Sequence, residues 1–176
     1  MYLLRKGADM PAEKSLIAIA DEHDTIVGTH VRGEPLPAGR YPMIAAVFLL
    51  NSKGCLILQK IAAHKKWGGL WTYSAAGHVD AGETYRIAAQ RELKEEMGIQ
   101  TSIEQEIAAF PVIREGRQIA LHHVFIAHSD APITPDAGEV AQVREISLDA
   151  LKKELQQKPE MFFDAFATAA KIYLGA

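Results

Sequence analysis

The amino-acid sequence predicts an α/β fold in which a mixed β-sheet is sandwiched between helices. Short apolar and β-branched runs recur between polar turns and predict strands, while segments of helical composition lie between and after them. The run MIAAVFLL (43–50) is apolar on both faces, as expected for a central strand covered on two sides. A length of 176 residues with 48% hydrophobic content is enough for one domain, residues 1–176, with its own core.

The first predicted elements are two β-hairpins. Strand-like runs at 15–20 and 25–31 flank the polar turn DEHD, which predicts an N-terminal β-hairpin within residues 15–33. After a proline-containing loop, the run 43–50 and the run CLILQKIA (55–62) flank NSKG, a turn that contains Asn and Gly. The two hairpins supply four strands of the expected sheet.

The middle of the chain contains a predicted helix between strands. A short strand is expected at 72–76. Residues 83–97 lack proline and glycine, are rich in Ala, Leu, Glu and Arg, and are followed by Gly98, which is typical of a helix and its end. Two further strands are predicted at 107–113 and 119–128, joined by REGRQ.

The C-terminal part changes from a strand to helices. The loop SDAPITPDAGEV leads to a predicted strand at 140–146. Ser147 can cap the first of two C-terminal helices within 147–174, LDALKKELQQ and the amphipathic MFFDAFATAAKIYL.

Charge, cysteine content and hydropathy argue against several classes of partner and site. A net charge of -3 without any long Lys/Arg block disfavours nucleic acid and anionic membranes as partners. A single cysteine, Cys55, can form neither an intramolecular disulfide nor a cysteine-rich zinc site. The apolar run 43–50 is too short to span a bilayer, and MYLLRKGADMPAEK is too charged for a signal peptide. We therefore expect a cytoplasmic protein.

The segment GHVDAGETYRIAAQRELKEEMGI (77–99) places Glu92, Glu95 and Glu96 close together on the predicted helix. Like charges three or four residues apart destabilise a helix by roughly 0.2 to 0.5 kcal/mol per pair. One interpretation is a solvated helix face, supported by a pair between Arg91 and Glu95. The other is a metal site, because carboxylates and a backbone carbonyl from the glycine-containing loop are the hard oxygen ligands that Mg²⁺ prefers.

The same segment matches the Nudix box, Gly-x5-Glu-x7-Arg-Glu-aliphatic-x-Glu-Glu-x-Gly-aliphatic, at every specified position, so the chain resembles the Nudix hydrolase superfamily. The resemblance implies a Nudix-type α/β/α sandwich. It also implies that Glu95 and Glu96 are the principal metal ligands, and that the Gly77 carbonyl and Glu83 complete the site. Two or three bound Mg²⁺ ions, with Mn²⁺ as a substitute, would offset the repulsion between the glutamates.

The family chemistry implied by this resemblance is attack of water at phosphorus in a nucleoside diphosphate linked to another group. Glu92 resembles the glutamate that helps to bind metal or activates water, and Arg91 resembles the residue that orients it. The general base is open, because members of the family take it from the box or from a late loop. Glu139 in the loop SDAPITPDAGEV is the candidate from the late loop, and an ordinary loop carboxylate is the alternative.

Segments outside the box look like the subgroup related to isopentenyl diphosphate isomerase; they are ADEHDTIVGTHVRGE, GGLWTYSAAGHVDAGE and VFIAHSDAPIT. That isomerase requires a cysteine immediately before the Gly-His of the box, where this chain has Ala76. It also requires glutamates on a later strand, where this chain has Gln118 and Ala120. Although His78 matches an isomerase metal ligand, we expect hydrolase chemistry because no acid-base pair is present.

Candidate substrate-binding residues precede the box. Lys65 and Lys66 are positioned to contact phosphate, and Trp67 and Trp71 to contact a base or an apolar group. A solvated turn with two packed tryptophans is the alternative interpretation. His78, inside the box, is also a candidate substrate-binding residue.

Two strand residues, His122 and His123, must point to opposite faces, so at most one of them can face the site.

Three functions remain: a Mg²⁺-dependent diphosphate hydrolase, an inactive Nudix nucleotide-binding or regulatory module, and an isomerase. The intact set of box glutamates and Arg91 favours the hydrolase. We expect a small-molecule diphosphate as substrate: a nucleoside di- or triphosphate, a nucleotide sugar or an isoprenoid diphosphate. Homodimers are common among proteins that this chain resembles, so a homodimer is a further expectation.

Overall fold

The computed structural model describes residues 15–175, in which nine strands are hydrogen-bonded into one mixed sheet. The strands are β1 (Leu16–Ala20), β2 (Ile26–Val31), β3 (Tyr41–Leu50), β4 (Cys55–Ile61), β5 (Trp71–Thr72), β6 (Ala75–His78), β7 (Glu106–Arg114), β8 (Arg117–His128) and β9 (Val140–Ser147). The helices are α1 (Tyr85–Met97), α2 (Leu148–Gln157) and α3 (Asp164–Leu174). Within the described range, no helix has the length and apolar character needed to cross a membrane. The charged segment MYLLRKGADMPAEK lies outside the described residues.

Strand β3 is the centre of the sheet. It runs parallel to β8 from the Met43–Leu121 pair to the Leu50–His128 pair. It also pairs in antiparallel orientation with β1, with β6 and, at its end, with β4, which continues the sheet to β5 and β9. The loop and strand that precede α1 therefore lie beside the middle of the sheet.

Both faces of β3 are covered by helices. Residues that alternate along the strand enter two different cores, one beneath α1 and the other beneath α2 and α3. Those on the α1 side are Met43, Ala45, Val47 and Leu49, and those on the other side are Ala46, Phe48 and Leu50. The prediction of a doubly covered central strand in an α/β sandwich is confirmed.

The predicted strand at 72–76 is two strands in the structure. The chain leaves β4 after Thr72 and joins β3 at Ala75. The buried Ser74 hydroxyl holds this crossing, because it accepts a hydrogen bond from the Leu49 N–H (2.7 Å) and donates one to the Ile57 carbonyl (2.6 Å). The side chain thus satisfies backbone groups that a continuous ladder would have paired.

Other element boundaries also differ from the sequence prediction. Helix α1 begins at Tyr85 and not at residue 83, because the Thr84 hydroxyl accepts from the Ile87 N–H and caps it. Helix α3 begins at Asp164, after a 3-10 turn at Pro159–Met161. Strands β7 and β8 are joined by a two-residue turn instead of the five-residue REGRQ connection.

Candidate active site

The site begins with a close contact between β6 and α1. Glu92 and Glu96 are one turn apart on α1, both are buried, and both face β6. A Cβ atom added to Gly77 would lie 1.9 Å from Glu92 Oε1. The Glu92 carboxylate therefore occupies the space that the Cβ atom of any other residue at position 77 would need. Only glycine is compatible with this contact.

Arg91 holds the carboxylates next to this contact. Its guanidinium donates two hydrogen bonds to Glu83, at 2.9 and 2.8 Å, and one to Glu92 at 2.7 Å. It also donates to Glu95 at 3.2 Å and to the His78 carbonyl at 2.9 Å. The planar fork of arginine allows all these bonds at once, which a lysine cannot reproduce. Hydrogen bonds to Arg91 lower the pKa of Glu83, and those to Glu83 raise the pKa of Arg91.

Glu96 is a buried carboxylate beside another carboxylate. Its Oε2 accepts hydrogen bonds from Gln59 Nε2 (2.8 Å) and from the Ala76 N–H (3.0 Å). Burial first and Glu92 second raise the pKa of Glu96 to about 8. Burial also raises the pKa of Glu92, although the Arg91 hydrogen bond opposes the increase. A positive charge bound here would favour the ionised form of both groups.

Two cavities meet at this contact. The polar lobe, of about 420 Å³, is lined by charged residues that include Asp80, Arg91, Glu92 and Glu95. The apolar lobe, of about 340 Å³, is lined by residues that include Ile44, Ile61, Trp67, Tyr73 and Phe163. The residues that line both lobes are Arg32, Ala76, Gly77, Glu96 and Glu139. The arrangement places a charged compartment directly beside an apolar compartment.

The predicted substrate-binding residues fall into different places. Lys65 and Lys66 line the apolar lobe, and Lys65 forms an ion pair with Glu139. Trp71 does not line either lobe; it is 8% exposed and packs in the core, with Arg144 Cζ 4.3 Å from its ring centroid. Trp67 is the tryptophan that lines the apolar lobe. The segment HKKWGGLW (64–71) therefore contributes Trp67 to the cavity and Trp71 to the core.

The histidines also separate. His122 is buried, lines the apolar lobe, and has its Nδ1 3.3 Å from the Tyr73 hydroxyl. His123 points to the other face and lies between Asp24 (2.6 Å) and Glu106 (2.8 Å). Of this pair, His122 is the one that faces the site.

His78 lines the apolar lobe together with His122. Burial lowers the pKa of each to about 4, and the nearby Arg32 further lowers that of His78. Both imidazoles are therefore uncharged at neutral pH and act as hydrogen-bonding groups without adding positive charge.

Three residues that line the apolar lobe, Arg32, Gln59 and Tyr73, were not predicted from the sequence. Arg32 follows β2 and Tyr73 lies between two short strands, and neither has a spacing signal to the box. Gln59 gave one sign, since it is the first polar residue after the apolar run CLIL at the start of β4. Strand pairing, and not local pattern, brings these residues to the box.

The donors that face the polar lobe suit a hard divalent cation. Glu92, Glu95 and Glu96 supply carboxylate oxygens from one side of α1, and the Gly77 backbone lies against Glu92. In residues 15–175 no three His, Cys, Asp or Glu side chains are already arranged around one point. Glu95 is turned towards Arg91, but its side chain is 57% exposed and can rotate into the lobe.

Comparison with known proteins gives concordant results. A family model described as the NUDIX domain matches residues 40–166. An uncharacterized Nudix hydrolase of Pseudomonas aeruginosa is 32% identical over 166 residues, which cover 94% of this chain and 96% of that protein. A Photorhabdus laumondii protein named isopentenyl-diphosphate Delta-isomerase 2 is 30% identical over 152 residues, 84% of this chain and 85% of that protein.

Structural comparison finds the same architecture. The crystal structure of DR0079 from Deinococcus radiodurans has a TM-score of 0.74 with this chain, at 22% sequence identity. The match covers 90% of this chain and 99% of that one. At this identity the likeness concerns the fold.

Proposed function

Because this chain belongs to the Nudix hydrolase family, we propose that it is a Mg²⁺-dependent enzyme that cleaves a diphosphate linkage by water attack at phosphorus. The substrate is a nucleoside diphosphate derivative or a related diphosphate, with isoprenoid diphosphates included. One observation carries the proposal: Glu92 and Glu96 are buried side by side against the Gly77 backbone, with Arg91 bonded to Glu92. A solvated helix face would not bury two carboxylates.

Divalent metal ions are the cofactors of this family, and the polar lobe is where this chain would hold them. Glu92, Glu95, Glu96 and the Gly77 carbonyl are the proposed ligands of Mg²⁺, and the same oxygen donors accept Mn²⁺. The bound ion supplies charge neutralisation for the diphosphate and a lower pKa for the attacking water. Arg91 keeps Glu92 in place through its 2.7 Å hydrogen bond, while the hydrogen bonds from Gln59 and Ala76 fix Glu96.

The hydrolytic step needs a carboxylate as general base. A bond forms between the water oxygen and phosphorus, the bond from phosphorus to the bridging oxygen breaks, and the carboxylate takes the proton from the water. Glu92, in the polar lobe, and Glu139, which lines both lobes, are the two candidates. Lys65 pairs with Glu139, so a phosphate that attracts Lys65 also changes the surroundings of this carboxylate.

Positive side chains surround the place where the lobes meet. Arg32 lines both lobes, and Lys65 and Lys66 line the apolar one. These cations are suited to bind the diphosphate, which leaves the apolar lobe and His78 for the other half of the substrate. Trp67, with 37% exposure, offers a ring surface at this lobe.

An isomerase and a binding module are the alternatives. The isomerase is supported by the name of the Photorhabdus laumondii relative, but Ala76, which lines both lobes, has no group that can transfer a proton. A binding module would not need the hydrogen-bonded arrangement of Arg91 and Glu92. A cytoplasmic location, a single domain over residues 1–176 and a homodimer stay predictions.

The test is release of phosphate and pyrophosphate with Mg²⁺ across nucleoside di- and triphosphates, nucleotide sugars and isoprenyl diphosphates. Glu96→Gln is measured in parallel as a control for contaminating phosphatase. Turnover of one substrate class that is lost in Glu96→Gln supports the hydrolase and identifies its substrate. No turnover, together with Mg²⁺-dependent binding of a nucleotide, would contradict the hydrolase and support the binding module.

A further inference from the structure

Two buried polar atoms of the apolar lobe have no hydrogen-bond partner within residues 15–175. They are Gln59 Oε1 and His78 Nδ1, and both residues line that lobe. A buried polar atom without a partner destabilises the folded state, because it has lost its hydrogen bonds to water. In a residue that lines a cavity, such an atom is explained most simply by a ligand that bonds it.

The orientation of the Gln59 amide follows from its neighbours. Glu96 Oε2 accepts a hydrogen bond from the Ala76 N–H (3.0 Å), so this oxygen acts as an acceptor. The amide group of Gln59 lies 2.8 Å from the same oxygen and must present its N–H₂ to it. The amide oxygen Oε1 therefore points away from Glu96.

Gln59 is held firmly in this position. The residue is 5% exposed in β4, and its backbone N–H donates to the Tyr73 carbonyl at 3.2 Å. Tyr73, which also lines the apolar lobe, is fully buried. A side chain enclosed in this way has few other rotamers available, so its two amide ends act as a rigid pair.

We propose that Gln59 is a positioning and specificity-determining residue that links the two lobes: its Nε2 orients Glu96, and its Oε1 accepts a hydrogen bond from the non-phosphate half of the substrate. The proposal rests on the proposed hydrolase function. His78, which also lines the apolar lobe and whose Nδ1 is buried without a partner within residues 15–175, offers a second hydrogen-bonding position.

This arrangement selects among the candidate substrates. A substrate whose non-phosphate half carries an N–H or O–H group pairs Gln59 Oε1, whereas a pure hydrocarbon leaves it buried and unpaired. One such hydrogen bond corresponds to about a 10- to 100-fold difference in affinity. We therefore expect a hydroxyl- or amide-bearing group in the apolar lobe and poor binding of isoprenyl chains.

The experiment compares wild type, Gln59→Met and Gln59→Glu on a nucleotide sugar and on an isoprenyl diphosphate. Gln59→Met removes both amide groups at similar volume. We expect its KM for the nucleotide sugar to rise about 10- to 100-fold with no comparable change for the isoprenyl diphosphate, while kcat falls for every substrate that is turned over. Gln59→Glu keeps an acceptor oxygen but loses the donor to Glu96, so kcat falls and the preference between the two substrates is retained.

The control variant is Gln142→Met, on the neighbouring strand β9, where the side chain is exposed. It should leave both KM values unchanged. Equal KM changes for the two substrates in Gln59→Met, or none for either, would overturn the proposal, because a merely structural role has no dependence on the substrate. If Gln59→Met does not fold, the substrate preference retained or lost in Gln59→Glu decides the question.

Failure of the proposed function gives a different result. If wild type turns over neither these two compounds nor any other diphosphate of the panel described above, the hydrolase is contradicted, and calorimetric affinities with Mg²⁺ take the place of KM. A wild-type preference for the nucleotide sugar that Gln59→Met abolishes still supports the role of Oε1. Equal affinities of wild type for both compounds, or no binding of either, would overturn it.

Discussion

The Gly77 backbone lies directly against the Glu92 carboxylate. A Cβ atom at position 77 would lie 1.9 Å from Glu92 Oε1 and 2.1 Å from Glu92 Cδ. The pair joins β6 to α1 at the point where the polar and apolar lobes meet. The backbone of one residue therefore fixes the carboxylate of the other.

Gly77→Ala should displace the Glu92 carboxylate. A shift of about 1 Å in a catalytic group costs about 100-fold in rate, so we expect kcat to fall by at least that factor. Steady-state hydrolysis of the preferred substrate measures the effect. Gly54→Ala is the control, because Gly54 lies in a turn with open space around it and tests only backbone strain. Equal activity of Gly77→Ala and wild type would show that Glu92 has no positional role.

Arg91→Lys should lose most of the hydrogen bonds that orient Glu83 and Glu92. A lysine keeps the charge but cannot form the fork that bonds Glu83 at 2.9 and 2.8 Å. We expect a 10- to 100-fold loss in activity or in Mg²⁺ affinity, on the order typical of residues that orient metal ligands. Titration with Mg²⁺ at saturating substrate separates the two. Lys94→Met, an exposed change on the same helix, should have neither effect.

Stability without metal should fall as pH rises above neutrality. The pKa of Glu96 is about 8 in the folded state and near 4.5 in the unfolded chain, so between these values the folded state holds the extra proton and loses stability with increasing pH. From pH 6.5 to 8 the free energy of unfolding should drop by about 2 kcal/mol. Urea unfolding in EDTA at both pH values measures this, and Glu96→Gln should flatten the dependence.

On the acid side the histidines act in the opposite direction. The pKa values of His78 and His122 are about 4 when folded, below the unfolded value of 6.5, so stability is lost as pH falls from 6.5 to 4. Because Glu96 opposes this change above pH 4.5, the slope above pH 6.5 is the clean measurement. A free energy of unfolding that rises between pH 6.5 and 8 would contradict the burial of Glu96.

The chain should not isomerise isopentenyl diphosphate. The resemblance to the isomerase subgroup places Ala76, Gln118 and Ala120 at the positions of its cysteine and glutamates, and none of these side chains can act as a general acid or base. In D₂O with Mg²⁺, NMR should detect no deuterium in the substrate or product. Ala76→Cys alone should also be inactive, because no acid-base partner is restored. Deuterium incorporation that Glu96→Gln abolishes would instead support the isomerase.

Ser74→Ala should destabilise the fold where the chain crosses from β4 to β3. The change leaves the buried Leu49 N–H and the Ile57 carbonyl without their partner. We expect the free energy of unfolding to fall by about 1 to 3 kcal/mol in urea titrations. Ser52→Ala, in an exposed turn, should cost much less. A similar loss for both serines would show that the Ser74 hydroxyl has no special role.

Much of the site is local in sequence and could be predicted. Residues 77–99 fix the order of glycine, arginine and glutamates, and a helix that ends at Gly98, with φ 70°, places Glu92 and Glu96 one turn apart. The same spacing predicted the pair of Arg91 with Glu95, which the structure contains at 3.2 Å. These relations depend only on the geometry of one helix.

Other members of the site depend on strand pairing. Gln59 on β4 reaches Glu96 on α1 because the chain continues from β4 through β5 to β6, which lies beside α1. No residue spacing within CLILQKI predicts this contact. The opposite directions of His122 and His123 were predicted, but which of them faces the site was not. Trp67 and Trp71 are the same residue type only four positions apart, and the sequence does not distinguish their roles. Only the fold places Trp67 in the cavity and Trp71 in the core.

The sequence by itself determined the α/β class, the helix that carries the box glutamates and the family, because helix periodicity, capping and turn preferences act over a few residues. The tertiary structure decided the second half of the site: which polar atoms of β4 and β6 meet the glutamates, and which of them are left without a partner. The physical reason is that contacts across a sheet are set by register and packing among distant segments, whose free energies compete over the whole domain.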